Sequence, residues 1–445
     1  MLNNIPNRIR SIIKKRGFIR YLNNILWLMS EKVLRIVAGL LVGIWVARFL
    51  GPEQFGVLSY VLSFTAIFGC VAKLGFDGIL IRDLVNEPNE RDKYLGTAFW
   101  LKIIGAILAL TFIAIILPFT SNDATTNLYI FIIGAGIIFQ GFEVIDFYFQ
   151  SKVQGKVVSI CKTIQLALSS LIKIYLVLVK AELLWFVLVV LVDSLSLAIS
   201  YIVAYRLQKK PTFYRIFDLA IARKLLKESW PMIISGVAIS VYMKIDQVMI
   251  KEIMGPVSVG YYAVAVRLTE VWLFITAAVT TSLFPAVLNA KKVDEKLYYQ
   301  RLLNLYRLLI LISVVISIAI TLFSEEIVET AFGSEYLPSV GILIIYIWSN
   351  IFIFMNNGSR MWYTAENKQK LISFNLVVGA VINVVLNLIL INHYGLIGAA
   401  FATLISYFLA IYLGNAIFKG TRINFKLQTK ALLTFYWISW DKNGK

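Results

Sequence analysis
Residues 371–418 read LISFNLVVGAVINVVLNLILINHYGLIGAAFATLISYFLAIYLGNAIF, 48 positions without an Asp, Glu, Lys or Arg. A helix needs roughly 20 mostly apolar residues to cross the hydrocarbon of a bilayer. This run is therefore long enough for two spans and the turn between them. Further charge-free runs lie at 103–122, 124–142, 271–290 and 336–359. Over all 445 residues, 59% are hydrophobic and 15% charged, and the mean hydropathy is +0.78. Soluble domains carry about a quarter charged residues, so lipid is the expected solvent. Barrel strands are shorter and alternate in polarity, which these runs do not. The expected fold is an all-α polytopic membrane protein.

Twelve spans fit the pattern. Six lie in the first half: 25–47, 55–80, 95–118, 127–149, 157–179 and 183–205. Six lie in the second: 230–250, 258–288, 302–323, 337–358, 371–391 and 396–418. The implied organisation is a basic tail (1–24), an N-lobe (25–205), a basic linker (206–229) expected along the membrane surface, a C-lobe (230–418) and a second tail (419–445). Of the 43 basic residues, 31 fall in the tails and even-numbered loops, and only Arg48, Lys180 and Lys251 in the odd-numbered loops. The positive-inside rule then puts both termini in the cytoplasm. The basic start, Arg8 to Arg20, precedes a long apolar run with no small-residue cleavage site, so the first helix is expected to stay as an anchor. In the second tail, 431–440 is apolar but too short to span, and reads as an interfacial helix.

Composition also excludes several functions. Cys70 and Cys161 both fall inside spans and give no disulfide framework. One histidine, His393, excludes paired-His metal chemistry, and no metal or cofactor is expected. A net charge of +18 reflects basic cytoplasmic loops rather than a nucleic-acid surface. The outward loops are too short to form a domain, which argues against a polysaccharide polymerase or ligase. No Walker motif is present. The protein is not expected to be an enzyme.

One motif occurs twice. Gly51-Pro52-Glu53-Gln54-Phe55-Gly56 follows the first span, and Gly255-Pro256-Val257-Ser258-Val259-Gly260 follows the seventh, 204 residues later. Proline cannot continue the preceding helix and glycine accepts unusual dihedrals, so each G-P-x-x-x-G reads as a tight reversal. Because six helices separate the copies, the two halves share one orientation, as in parallel-repeat transporters with the ligand site between the halves.

Nine cations fall within spans: Lys32, Arg35, Lys73, Lys102, Lys162, Lys173, Lys244, Arg267 and Arg307. The acids there or at span edges are Glu31, Asp77, Glu143, Asp146, Asp193, Asp246 and Glu270. Each mid-bilayer charge costs roughly 2.5–3.5 kcal/mol on insertion scales, so the set implies pairing or a hydrated cavity. Lys73, Lys102, Lys162 and Arg307 lie near cytoplasmic ends and can snorkel. Arg267 and Glu270, like Glu143 and Asp146, are three apart on one helix face. Lys162 and Lys173, eleven apart, point the same way along the fifth span. The basic bias favours an anionic head group such as a phosphate. Asp193, Asp246 and Glu270 are the candidate ion-coupling acids, for H+ or Na+.

Several segments resemble the Wzx-type oligosaccharide flippases, within the superfamily that includes multidrug exporters and the lipid II flippase. They are Ala47 to Gly56, Leu74-Gly75-Phe76-Asp77 with Arg82-Asp83-Leu84, Asp146 to Ser151, and Ser229-Trp230-Pro231 leading to Lys244 to Met249. Gly260-Tyr261-Tyr262, Arg267-Leu268-Thr269-Glu270, Leu283-Phe284-Pro285 and Gly395 to Ala400 continue the match in family order. Residues 437–445 match nothing in that family, and twelve helices are two short of the lipid II flippase. The resemblance implies two six-helix lobes related by pseudo-two-fold symmetry, as in the multidrug exporters. It implies a bacterial inner-membrane protein that moves undecaprenyl-diphosphate-linked repeat units to the outer leaflet, for O-antigen of lipopolysaccharide or for capsule. A polysaccharide polymerase and a chain-length regulator are the expected associates. Arg35, Lys73, Lys162, Lys173, Lys244 and Arg267 would then contact diphosphate or sugar. The alternative on this fold is a cation-coupled multidrug exporter.

Overall fold
The computed structural model describes residues 16–437. Most of the first basic tail (1–15) and the last eight residues of the second lie outside the described residues. Every regular element described is helical. In chain order they are α1 Arg16–Lys73, α2 Asp77–Asn86, α3 Arg91–Ile116, α4 Ala124–Phe139, α5 Val144–Ser151, α6 Gly155–Leu178, α7 Leu183–Leu207, α8 Leu219–Met254 and α9 Pro256–Glu270. There follow α10 Leu273–Val293, α11 Glu295–Leu322, α12 Ser324–Phe332, α13 Ser339–Tyr346, α14 Asn350–Ala365, α15 Gln369–Tyr407, α16 Gly414–Ile417 and α17 Arg422–Leu433.

Ten stretches among the described residues are long and apolar enough to cross a membrane. Two of the helices within them are each broken once by a glycine with positive φ: α1 at Gly51 (φ 69°) and α15 at Gly395 (φ 58°). A β-carbon on Gly398 would strike the carbonyl oxygen of Leu390 at 2.0 Å, so the chain doubles back at Gly395. The charge-free stretch 371–418 is thus the helical hairpin its composition predicts, and the two breaks raise ten stretches to twelve spans. Large apolar side chains stay exposed on the outer faces, for example Leu41, Phe112, Leu171, Val315 and Val381. In a membrane these faces meet lipid, which is as apolar as they are.

By contacts the chain divides into two units. The first holds residues 16–46 and 68–236, the second 47–67 and 237–437. The stretch 47–67, which lies within the first half of the sequence, thus sides with the second unit. In the first unit the core gathers Phe76, Leu80, Leu84, Tyr94, Leu95, Phe99, Phe149, Tyr201 and Phe213. In the second, separate clusters form around Trp362, Tyr306, Tyr242 and Leu309.

Two expectations need correction. Among the described residues the tail helix is α17, Arg422–Leu433, which ends where the expected helix begins; 434–437 are not helical, and 438–440 lie outside the described residues. Its Asn424 and Gln428 are buried. Tyr306 donates to Asn424 (2.6 Å) and Gln428 donates to Ser359 (2.7 Å), so polar docking on the second unit sets its position. Snorkelling fails for Lys102 and Arg307, which are 1% and 7% exposed. Arg307 donates to Thr434 (2.8 Å) and Asn304 (3.3 Å).

Candidate functional site
In the first unit, α6 carries Lys162, Gln165, Ser169 and Lys173 at spacings of three, four and four, which is one helix face. Each of these groups finds a partner on another element. Lys162 pairs with Asp146 at 2.9 Å, and Asp146 also accepts from Tyr201 (3.1 Å) and Gln150 (2.7 Å). Lys173 reaches Asp193 at 3.3 Å and Ser169 at 2.8 Å, and Ser169 donates to Asp193 at 2.9 Å. From α1, Arg35 donates to Glu31 (2.7 Å), to Gln165 (3.2 Å) and to the Lys162 carbonyl (3.2 Å). Lys102 pairs with Glu143 at 2.7 Å. The structure therefore brings Arg35, Lys162, Lys173 and Asp193 into one polar stripe. Lys73, exposed at the end of α1, forms no ion pair with any of them.

In the second unit, α8 and α9 supply the charges. Lys244 lies 3.6 Å from Glu270. The Arg267 guanidinium sits 5.3 Å over the Phe55 ring, and its Nη1 is buried without a hydrogen-bond partner. The two three-apart pairs read from sequence both take partners from other helices or, for Arg267, an aromatic face.

Asp246 is 3% exposed and surrounded by neutral donors. Its Oδ2 accepts from Tyr262 and Thr403, both at 2.7 Å, and its Oδ1 accepts from Asn387 at 2.6 Å. Asn387 also donates to Asn383 at 3.1 Å, while the Asn387 Oδ1 is buried and unpaired. Unlike Asp193 and Glu270, Asp246 has no cationic partner among the described residues. Reading for charges alone missed Tyr262, Asn383, Asn387 and Thr403. The signal was present: two asparagines four apart in a charge-free span are costly in lipid unless they face a polar partner.

The two repeat motifs pack on each other. Gly51 (φ 69°) and Gly255 (φ 85°) each precede a proline that starts a helix. A β-carbon on Gly56 would meet the Pro256 carbonyl oxygen at 1.8 Å, and one on Gly260 would meet the Pro52 carbonyl oxygen at 2.1 Å. Only glycine allows this reciprocal backbone contact.

A profile for the family described as polysaccharide biosynthesis protein matches residues 21–291, and a MatE profile matches 231–389. The chain is 26% identical over 373 residues to a probable low-salt glycan biosynthesis flippase, Agl15, of Haloferax volcanii, covering 81% of this chain and 75% of that one. It is 22% identical over 404 residues to the capsular polysaccharide biosynthesis protein CapF of Staphylococcus aureus, covering 87% and 96%. Among solved structures, an inward-facing multidrug resistance MATE transporter of the MOP superfamily superposes with a TM-score of 0.68 at 16% identity, covering 89% of this chain and 96% of that one. The lipid II flippase MurJ superposes with a TM-score of 0.66 at 17% identity, covering 92% of each. These likenesses establish the fold. With its profile matched over more than half of its length, this multi-pass membrane chain belongs to the polysaccharide biosynthesis protein family.

Proposed function
We propose that the protein is a transporter, not an enzyme, that flips an oligosaccharide linked to a polyprenyl diphosphate between leaflets by alternating access. Undecaprenyl diphosphate in a bacterial inner membrane, serving O-antigen or capsule, is the specific form of this reading. Arg267 carries it. A guanidinium in a membrane helix whose buried N–H makes no hydrogen bond within the protein is suited to an anion, since an unmet hydrogen bond to a charged group is expensive. Phosphate oxygens would complete it with charge-assisted hydrogen bonds. Lys244 adds a second cation in the same unit. Arg35, Lys162 and Lys173 line the other unit with side chains that are partly exposed, at 39%, 27% and 27%. Lys73 belongs to the same proposed set at the membrane edge.

Asp246 supports coupling to a cation, H+ or Na+, co-transported as a second substrate. With the Asn387 amide turned over, the carboxylate, the Thr403 hydroxyl and the Asn387 oxygen would make an all-oxygen donor set, which suits a hard cation. Amide rotation of Asn387 would swing that oxygen toward Asp246 and remove a competing N–H. Asp193 and Glu270 are weaker candidates because each already pairs with a lysine. The glycine–proline motifs serve as turns at which the helices pivot. The proposal includes both termini in the cytoplasm, on the distribution of basic loops. Reporter fusions at Lys209 reading inside, with Thr125 and Glu329 reading outside, would support that orientation. Any reversed reading would refute it.

The deciding experiment uses the full chain in vesicles with a fluorescent polyprenyl-diphosphate oligosaccharide. Translocation that falls at least ten-fold in Arg267→Gln supports the flippase. The MatE match over 231–389 favours a drug exporter as second reading. Cation-driven export of an organic cation, with no movement of the lipid-linked sugar, would establish it instead.

A further inference from the structure
A cavity of about 340 Å³ lies in the first unit, apart from the charged stripe on α6. Its walls are mostly aromatic and aliphatic: Phe99, Trp100, Phe142, Ile145, Ile202 and Phe213 among them. Arg206 and Lys210 also line it. Neither has a carboxylate partner among the described residues.

The chain between α7 and α8, residues 208–218, roofs this cavity and is fixed in place. A β-carbon on Gly96 would strike the carbonyl oxygens of Ile216 (2.1 Å) and Phe213 (2.3 Å), so the roof lies directly on α3. Trp100 donates to the Tyr214 carbonyl at 2.8 Å, and Thr97 accepts from the Asp218 amide at 2.9 Å. The cavity is therefore a built feature and not a gap under a loose loop.

Its position is equally informative. Trp100 heads an exposed apolar stripe along α3 that continues through Ile104, Leu108, Phe112 and Ile115, all between 42% and 56% exposed. That stripe faces hydrocarbon, so the cavity opens at the lipid perimeter. Around the roof, Leu207, Tyr214, Phe217 and Leu219 are exposed beside Arg206, Lys209, Lys210 and Arg215. Exposed apolar groups interleaved with basic ones are the composition of a segment lying at the headgroup level.

We propose that this cavity holds one anionic membrane phospholipid, its acyl chain among the aromatic residues and its phosphate between Arg206 and Lys210. Charge complementarity selects the headgroup, because an apolar pocket alone would accept a zwitterionic lipid equally well. The site lies outside the transport residues, so it holds a resident lipid that braces the roof against α3, not cargo.

The test is native mass spectrometry of the full-length protein in mild detergent, titrated with phosphatidylglycerol or phosphatidylcholine of identical chains. One phosphatidylglycerol should bind roughly ten-fold more tightly than phosphatidylcholine, the worth of one charge-assisted contact. The double variant Arg206→Gln/Lys210→Gln, one change in the last turn of α7 and one in the roof, should erase that preference. Ile202→Trp, filling the cavity, should weaken both lipids, with melting temperature in lipid-free detergent as the folding control. Equal binding of the two lipids, or a preference that survives the double variant, overturns the proposal. Displacement of phosphatidylglycerol by a polyprenyl diphosphate at lower concentration also overturns it, because the cavity would then be a substrate entry.

Discussion
Lys244 on α8 and Glu270 on α9 face each other at 3.6 Å, whereas Arg267, three residues from Glu270 on the same helix, makes no ion pair with it among the described residues. Arg267 is left stacked on Phe55. Arg267→Gln should therefore keep normal membrane abundance while translocation falls roughly 10- to 100-fold, the worth of a charge-assisted contact. Glu270→Gln should cost about 1 kcal/mol, since both partners are partly exposed, and the double change Lys244→Gln/Glu270→Gln should recover it. Abundance of each variant beside flipping in vesicles separates these outcomes. An Arg267→Gln protein rescued by Glu270→Gln would instead make that arginine a structural partner.

Asp246→Asn should fold normally, because Tyr262 and Thr403 can still donate to the amide oxygen. Translocation in vesicles should then lose its response to imposed sodium and proton gradients. Thr403→Val removes one oxygen and should raise the cation concentration for half-maximal rate without abolishing transport. Gradient dependence that survives in Asp246→Asn removes Asp246 from the coupling role.

Gly56→Ala and Gly260→Ala should be severely destabilising, at or beyond the upper end of the roughly 1–3 kcal/mol typical of overpacking, because the obstructing atoms are backbone. Gly39, within α1, has nothing within 4 Å of its β-carbon position. Gly39→Ala should be neutral or stabilising by up to about 1 kcal/mol. Melting temperatures in one detergent compare the three directly.

Lys102, whose side chain is fully buried, depends on Glu143 at 2.7 Å. Glu143→Gln strands that charge and should cost roughly 3–5 kcal/mol. Lys102→Met/Glu143→Gln should restore most of it. A neutral single variant would mean that the ammonium reaches water by another route.

Glu87, in the turn between α2 and α3, is held below its ordinary value of 4.5 by hydrogen bonds from Lys224 and Tyr94. Lys224 Nζ lies 3.1 Å from Glu87 and 3.3 Å from Asp83. A depressed carboxylate stabilises above its unfolded pKa, and that contribution disappears as pH falls through the folded one. The tie between the start of α8 and α2 should thus hold at pH 7 and loosen below about 4.5. Amide exchange over residues 219–229 should accelerate in that acid range in wild type. In Glu87→Gln it should already be faster at pH 7.

Much of this architecture was legible in the chain, for a physical reason. Lipid demands long apolar helices, so composition alone locates spans, and the proline after Gly51 and after Gly255 marks where two of them end. Partner choice was not legible. Spacing puts Glu143 beside Asp146, but their lysines arrive from α3 and α6, which no local pattern encodes. Asn383, Asn387 and Thr403 carry no formal charge and so escaped a search for charges, although they surround Asp246. The placement of α17 was missed because it depends on buried amides, not on an apolar face. The aromatic cavity joins residues from 99 to 214 in sequence, a proximity that only folding creates.

The reciprocal contact of Gly56 with Pro256 and of Gly260 with Pro52 has the form of a self-complementary interface: residue i of one copy touches j of the other, and j touches i. In oligomers that relation belongs to a two-fold axis between identical subunits. Here one polypeptide supplies both sides, as a fused homodimer would. The two motifs are consequently bound to diverge in step, because a side chain gained at either glycine meets the backbone of its counterpart.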